Sequence, residues 1–504
     1  YLGDMELAGG KFSATDNQTL SGTLSITANS ELAVLENYTL VLNQSGGLPL
    51  GANTLTLSGG GTLQSSGLEL DDTDSKLKLS SIIVSNVITS ADSLGLEIDD
   101  NSTITSLSIS NLSPVSITDG KSLSGGITVN TGGTVQLADN GTIASNITMN
   151  GGVLDADNSL TISGTVTSAG NFSIDVDSGI TLTFGAGEIR TESYQLTLAG
   201  AGTIAFPANA SGIVVNDAAG LLKLEGTGTL GAAQVTTASD AGKGLAVNTS
   251  STISSLKVEA DTELNVVNGE TFSGSTEIAA DKTLKLSGTG TFGSTIDLEG
   301  TLEAGANLTV SGLISVAGNS AAVSIPTAGT TLTYSGGALN VGAHTLAIGG
   351  AGTFSNAAGS PLVLDVADSI LDLTGSGTVS GPVKLENGTL RVSSGTPTIS
   401  GDLVEVWSNV TIDVTTGQTL NYTGASPQIP TGLGLTLTGG GTFNNTNALV
   451  LHDAESKLLL NSITVDSVST SADSSSGGLD VDNDSTVSSL TVGHTTPVSI
   501  ASGK

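Results

Sequence analysis

Carboxylates at alternating positions are the groups in this chain best suited to chemistry. Glu97-Ile98-Asp99-Asp100-Asn101-Ser102 has a second version in Asp480-Val481-Asp482-Asn483-Asp484-Ser485, while Asp155-Ala156-Asp157-Asn158 and Asp175-Val176-Asp177-Ser178 keep similar spacing. Residues two apart on a strand point to the same side. Asp99, Asp100, Asp155, Asp157, Asp480, Asp482 and Asp484 are therefore candidate oxygen ligands for Ca2+, a hard cation. The spacing is neither that of an EF-hand loop nor that of a Gly-Gly-x-Gly-x-Asp repeat. Solvated strand ends that keep neighbouring molecules apart account for the same residues. Ca2+ is the one cofactor the sequence suggests, and the fold is expected to require none.

Asparagine supplies a second set. Asn-x-Ser/Thr occurs 16 times, at Asn17, Asn37, Asn101, Asn140, Asn171, Asn307, Asn387, Asn409 and Asn483 among others. In an exported protein such sites accept N-linked glycans. Asn followed by Gly-Thr or by x-Thr is equally a good turn-to-strand sequence.

Catalysis has less to work with. Arg190 and Arg391 lie far apart, and His344, His452 and His494 have no partnering motif. Glycoside hydrolysis needs two carboxylates at a set separation, one with a raised pKa. No Gly-x-Ser-x-Gly, His-Glu-x-x-His or phosphate-binding loop is present. The expectation is a protein that is not an enzyme.

Composition narrows the partners. With 47 acidic and 14 basic residues the net charge is −33. Binding nucleic acid or anionic lipid needs clustered cations, which are missing. No uninterrupted apolar stretch approaches a membrane span. Cysteine is absent, so disulfides and thiolate metal sites are excluded. Aromatics are 3% and glycines number 68, yet mean hydropathy is +0.22. This chain can bury enough aliphatic surface to fold, around a narrow core with little room for Phe or Trp.

What positions these residues is a repeat within a repeat. Leu55-Thr-Leu-Ser-Gly-Gly-Gly-Thr-Leu63 returns as Leu435-Thr-Leu-Thr-Gly-Gly-Gly-Thr-Phe443, Ser75-Lys-Leu77 as Ser456-Lys-Leu458, and Pro114-Val-Ser-Ile117 as Pro497-Val-Ser-Ile500. One long unit covers residues 1–380, and residues 381–504 begin another. Inside it, Leu-x-Leu/Ile-x-Gly-x-Gly-Thr-hydrophobic starts at Leu55, Leu196, Leu222, Leu284, Leu346, Leu371 and Leu435. The short gaps, 26 from Leu196 and 25 from Leu346, suit single coils, and those near 62 suit three coils of about 21 residues. Leu55 and Leu57 share one face of a strand, the glycines allow a bend, and Thr62-Leu63 start the next strand. Helical spacing is absent. The reading is all-β: an elongated parallel β-solenoid of about 24 coils at about 4.8 Å each. The alternative is a string of β-sandwich domains.

Lys282-Thr-Leu-Lys-Leu-Ser-Gly-Thr-Gly-Thr-Phe292, followed by Ile296-Asp-Leu-Glu-Gly-Thr-Leu302, resembles the strand repeats of autotransporter passengers and other β-helical bacterial adhesins. That resemblance implies a structural or adhesive protein, a stalk or fibre outside the cell or on its surface. Its expected partners are other copies, joined end to end into filaments through unpaired strand edges. The other expectation is a module that binds surface glycans through irregular segments such as Ala205–Asn209 and Gly424–Pro430.

Overall fold

The computed structural model describes residues 3–208, 210–404, 410–429, 432–453, 455–470, 477–493 and 495–504. Sequence alternation converts directly into geometry. In the strand Thr134–Leu137, Val135 and Leu137 are at most 1% exposed, while Thr134 and Gln136 face outward. The chain then turns through Thr142–Ile143 and Asn146–Asn150 before Val153–Ala156 starts the next coil. A coil thus has three faces, called here the front, second and third. Ile143, Ile147 and Met149 close the interior beside Val135 and Leu137.

Each front strand pairs in parallel with its equivalents one coil earlier and one coil later. Val135, Leu154, Ile174, Leu198 and Leu224 form one inward file. Leu284, Leu302, Val323, Ile348, Leu373, Val392 and Val414 form another. A fully buried Leu or Ile contributes roughly 1.5–3 kcal/mol, and an unbroken file repeats that gain in every coil.

Among the described residues every strand-to-strand pairing is parallel and no helix occurs. That pattern is a parallel β-solenoid of about 23 coils about 21 residues apart, not a string of antiparallel sandwiches. The 62-residue gap from Leu284 to Leu346 is three coils, passing through Thr301–Ala304 and Ala321–Ile325. Contacts group the coils into two compact units, Tyr1–Ser255 and Leu256–Lys504.

Gly59 shows why the corners need glycine. Its φ is +105°, and a Cβ there would stand 2.5 Å from the Val34 carbonyl oxygen of the preceding coil. Gly439 has the same role in the second copy, at φ +108°.

Aromatic side chains fit better than composition suggests. Phe184 and Phe206 stack at 5.3 Å, Phe272 and Phe292 at 5.4 Å, Tyr334 and Phe354 at 6.1 Å, and Tyr422 and Phe443 at 6.1 Å. A ring enters the narrow core where the adjacent coil supplies another ring, so each pair fills two levels together. The hydroxyls of Tyr334 and Tyr422 accept the Ile314 and Leu403 N–H groups at 3.4 and 3.2 Å.

Candidate functional site

The front face carries most of the charge chemistry. Outward side chains in register on consecutive coils lie about one strand spacing apart, within reach of an ion pair. Lys78 reaches Glu97 at 2.7 Å and Lys76 joins the same carboxylate. These hydrogen bonds, from Lys76 first and then Lys78, hold Glu97 down to about 2. In the second copy Lys457 and Asp480 repeat the pair at 2.7 Å. Lys11–Glu31 and Arg391–Asp372 join neighbouring coils at 2.7 and 2.6 Å.

Of the candidate metal ligands, Asp100 is already engaged. It accepts from Lys121 Nζ at 2.7 Å, from the Asn101 N–H at 2.9 Å and from the Ser81 hydroxyl at 2.9 Å. The Lys121 bond is the main reason its carboxyl lies at about 2. Asp99 is exposed beside it, as are Asp482 and Asp484 in the second copy. Asp480 is tied to Lys457.

The Asp155 group differs. Asp155 stands in register with Asp175 on the next coil, with Asp157 and Asp177 two residues further along each chain. Asp157 accepts from Gln136 Nε2 at 2.6 Å. Burial pushes Asp155 up to about 6, with help from the charges of Asp157, Asp175 and Asp177. Here carboxylates face carboxylates across a coil boundary. Among the described residues no three His, Cys, Asp or Glu side chains converge as a metal cage.

The sequon asparagines fall at corners, and several are bonded to the following coil. Asn17, Asn101, Asn171 and Asn307 accept through Oδ1 from the backbone N–H groups of Thr39, Ser122, Gln195 and Thr331, at 2.9, 2.9, 2.9 and 2.7 Å. Asn37 is a left-handed turn residue with φ +68°. Asn387 accepts from the Gly388 N–H at 2.9 Å. Asn140 is exposed at its corner. Asn483 donates to the Asn461 side chain, while its carbonyl accepts from the Ser485 hydroxyl at 3.0 Å. Asn409 and His494 lie outside the described residues, as does Trp407.

The two irregular segments belong to the coil wall as far as they are described. Phe206 is 5% exposed and stacks on Phe184. The Ala425 N–H bonds Asp402 at 2.8 Å, and Gln428–Ile429 pairs with the strand Leu449–Leu451. Asn209 and Pro430 are outside the described residues.

One set of residues hides behind an ordinary turn composition. In Leu68-Glu-Leu-Asp-Asp-Thr-Asp-Ser-Lys-Leu-Lys-Leu79, Ser75 is fully buried and bridges two coils. Leu362–Leu373 and Leu449–Leu460 repeat the phrase, with Ser369 and Ser456 in its place. Three aligned copies were the signal that could have exposed it. No protein-family model matches the chain, and no curated protein or solved structure matches it either.

Proposed function

We propose that the protein is a structural, adhesin-like stalk segment, acting outside the cell or on its surface as a rigid acidic fibre. The observation that carries this reading is that the two copies of the long repeat keep the same load-bearing details. The Leu35–Gly60 bridge returns as Thr415–Gly440. The Asp72 N–H to Ser75 Oγ bond, 2.9 Å, returns from Asp453 to Ser456 at 3.1 Å. The Lys76–Glu97 pair returns as Lys457–Asp480. What recurs is the means of joining coil to coil.

Stiffness then follows from backbone pairing between consecutive coils and from the inward aliphatic files, each coil being stabilised chiefly by its neighbours. The net charge of −33 keeps parallel fibres soluble and apart. Growth along the axis uses strand edges. Leu490, Val492, Val498 and Ile500 are exposed on strands that pair on one side among the described residues. Such an edge accepts another parallel strand. Force spectroscopy on the intact chain tests the proposal. A stalk resists extension and then yields in steps of one or a few coils, whereas extension at low force without steps would defeat it.

A further inference from the structure

The second face has a chemistry that the stalk reading does not use. In the unit Leu256–Lys504, Thr331, Thr353, Thr378, Thr398, Asn421 and Asn444 lie in register on six consecutive coils. Thr291, Thr309 and Thr333 form a second file beside them. The eight strands of this face from Thr291–Phe292 to Thr442–Asn445 contain no charged residue, in a chain with a net charge of −33. The front face of the same coils carries Lys285, Glu303, Asp372, Arg391 and Asp413.

The two faces also spend their polar groups differently. On the front face, Lys285 and Ser287 bond to Glu263 at 3.4 and 2.6 Å, and Arg391 bonds to Asp372 at 2.6 Å. On the second face, the hydroxyls of Thr331, Thr353, Thr378 and Thr398 are half-buried and make no hydrogen bond to other described residues. Donors and acceptors therefore recur at about 4.8 Å intervals along the axis, flat and neutral.

We propose that this threonine file is a docking surface for a neutral polysaccharide chain lying along the coil axis. Charge selects the class of partner. An anionic polymer would be repelled by the surrounding carboxylates, and a cationic one finds its counter-charges on the front face. A protein partner would seek exposed aromatic or large aliphatic anchors, and none of the exposed large hydrophobics lies on these eight strands. A polyhydroxylated chain presents hydroxyls at a comparable repeat and exchanges water for protein at each coil. Each exchange is individually weak, so affinity accumulates over many coils and grows with the length of the glycan.

The test is retention of the intact chain on an insoluble neutral β-1,4-glucan, with polygalacturonate as the anionic control. Neutral polymer should retain the protein, soluble long chains should release it, and two- or three-sugar oligomers should not. The double variant Thr353→Val, Thr378→Val keeps strand shape while removing two hydroxyls. It should melt with the parent and bind about tenfold more weakly, a loss of about 1.4 kcal/mol. Equal retention of parent and variant, release by short oligomers, or no retention would each overturn the proposal. So would glucan-independent self-association that the variant abolishes, since the occupant would then be a second copy. Force spectroscopy does not depend on this outcome, so the stalk reading and the docking surface can fail separately.

Discussion

Ser75 Oγ donates to the Gly51 carbonyl at 2.7 Å, joining residues 24 positions apart on adjacent coils. The same hydroxyl accepts the Asp72 N–H at 2.9 Å, so one buried serine closes a corner and ties it to the coil before. Ser75→Ala leaves a buried carbonyl and an N–H unpaired. The expected cost is about 1–3 kcal/mol, seen as a lower melting temperature of the intact chain. Ser66→Ala, at a more exposed corner, should change melting far less.

Asp155 should make stability fall as pH rises. Its folded-state carboxyl sits at about 6, above the ordinary 3.8, so the folded form holds the proton more tightly than the unfolded form. That contribution is complete below about pH 3.8 and is lost as pH rises through 6. Asp155→Asn should therefore stabilise the protein at pH 7, by about 1 kcal/mol after allowing for partial exposure. The gain should shrink toward pH 4. Melting curves of parent and variant across that range check the sign.

Glu97 behaves oppositely. Lys76 and Lys78 hold it at about 2, below the ordinary 4.5, so its contribution is present above pH 4.5 and is lost as pH falls through 2. Glu97→Gln should cost about 1 kcal/mol at pH 7 and low salt. The difference should narrow in high salt and at pH 2, read again by melting.

Asn307 and Asn140 share the sequon pattern but not the job. Asn307 accepts the Thr331 N–H at 2.7 Å across a coil boundary, whereas Asn140 is exposed at its corner. Asn307→Ala should destabilise by about 1 kcal/mol, and Asn140→Ala should leave denaturation unchanged. Equal effects would remove the structural account of these asparagines.

The fold was legible because its signals are local. Leu55 and Leu57 mark an inward face two residues at a time, and Gly59 marks the bend that follows, so strand, corner and coil length can be read within nine residues. The cross-coil bonds were not legible. That Asn307 meets Thr331, or Ser75 meets Gly51, depends on coils whose lengths vary from 18 residues between Leu284 and Leu302 to 25 between Val323 and Ile348. For the same reason the acidic run Asp71-Asp72-Thr73-Asp74 looked like a ligand cluster. Asp71 instead accepts the Gly51 N–H at 2.8 Å, and Asp72 accepts the Asp74 N–H at 3.0 Å. The threonine file shows itself in three dimensions, because Thr331, Thr353, Thr378 and Thr398 come into line through the register of four separate strands.

The central claim is that this chain is a stiff element of a surface stalk. Electron microscopy of the intact protein tests it most directly. The account predicts straight particles of uniform width, whose length increases in proportion when a further 380-residue repeat is added. Compact particles, or beads joined by flexible links, would contradict it.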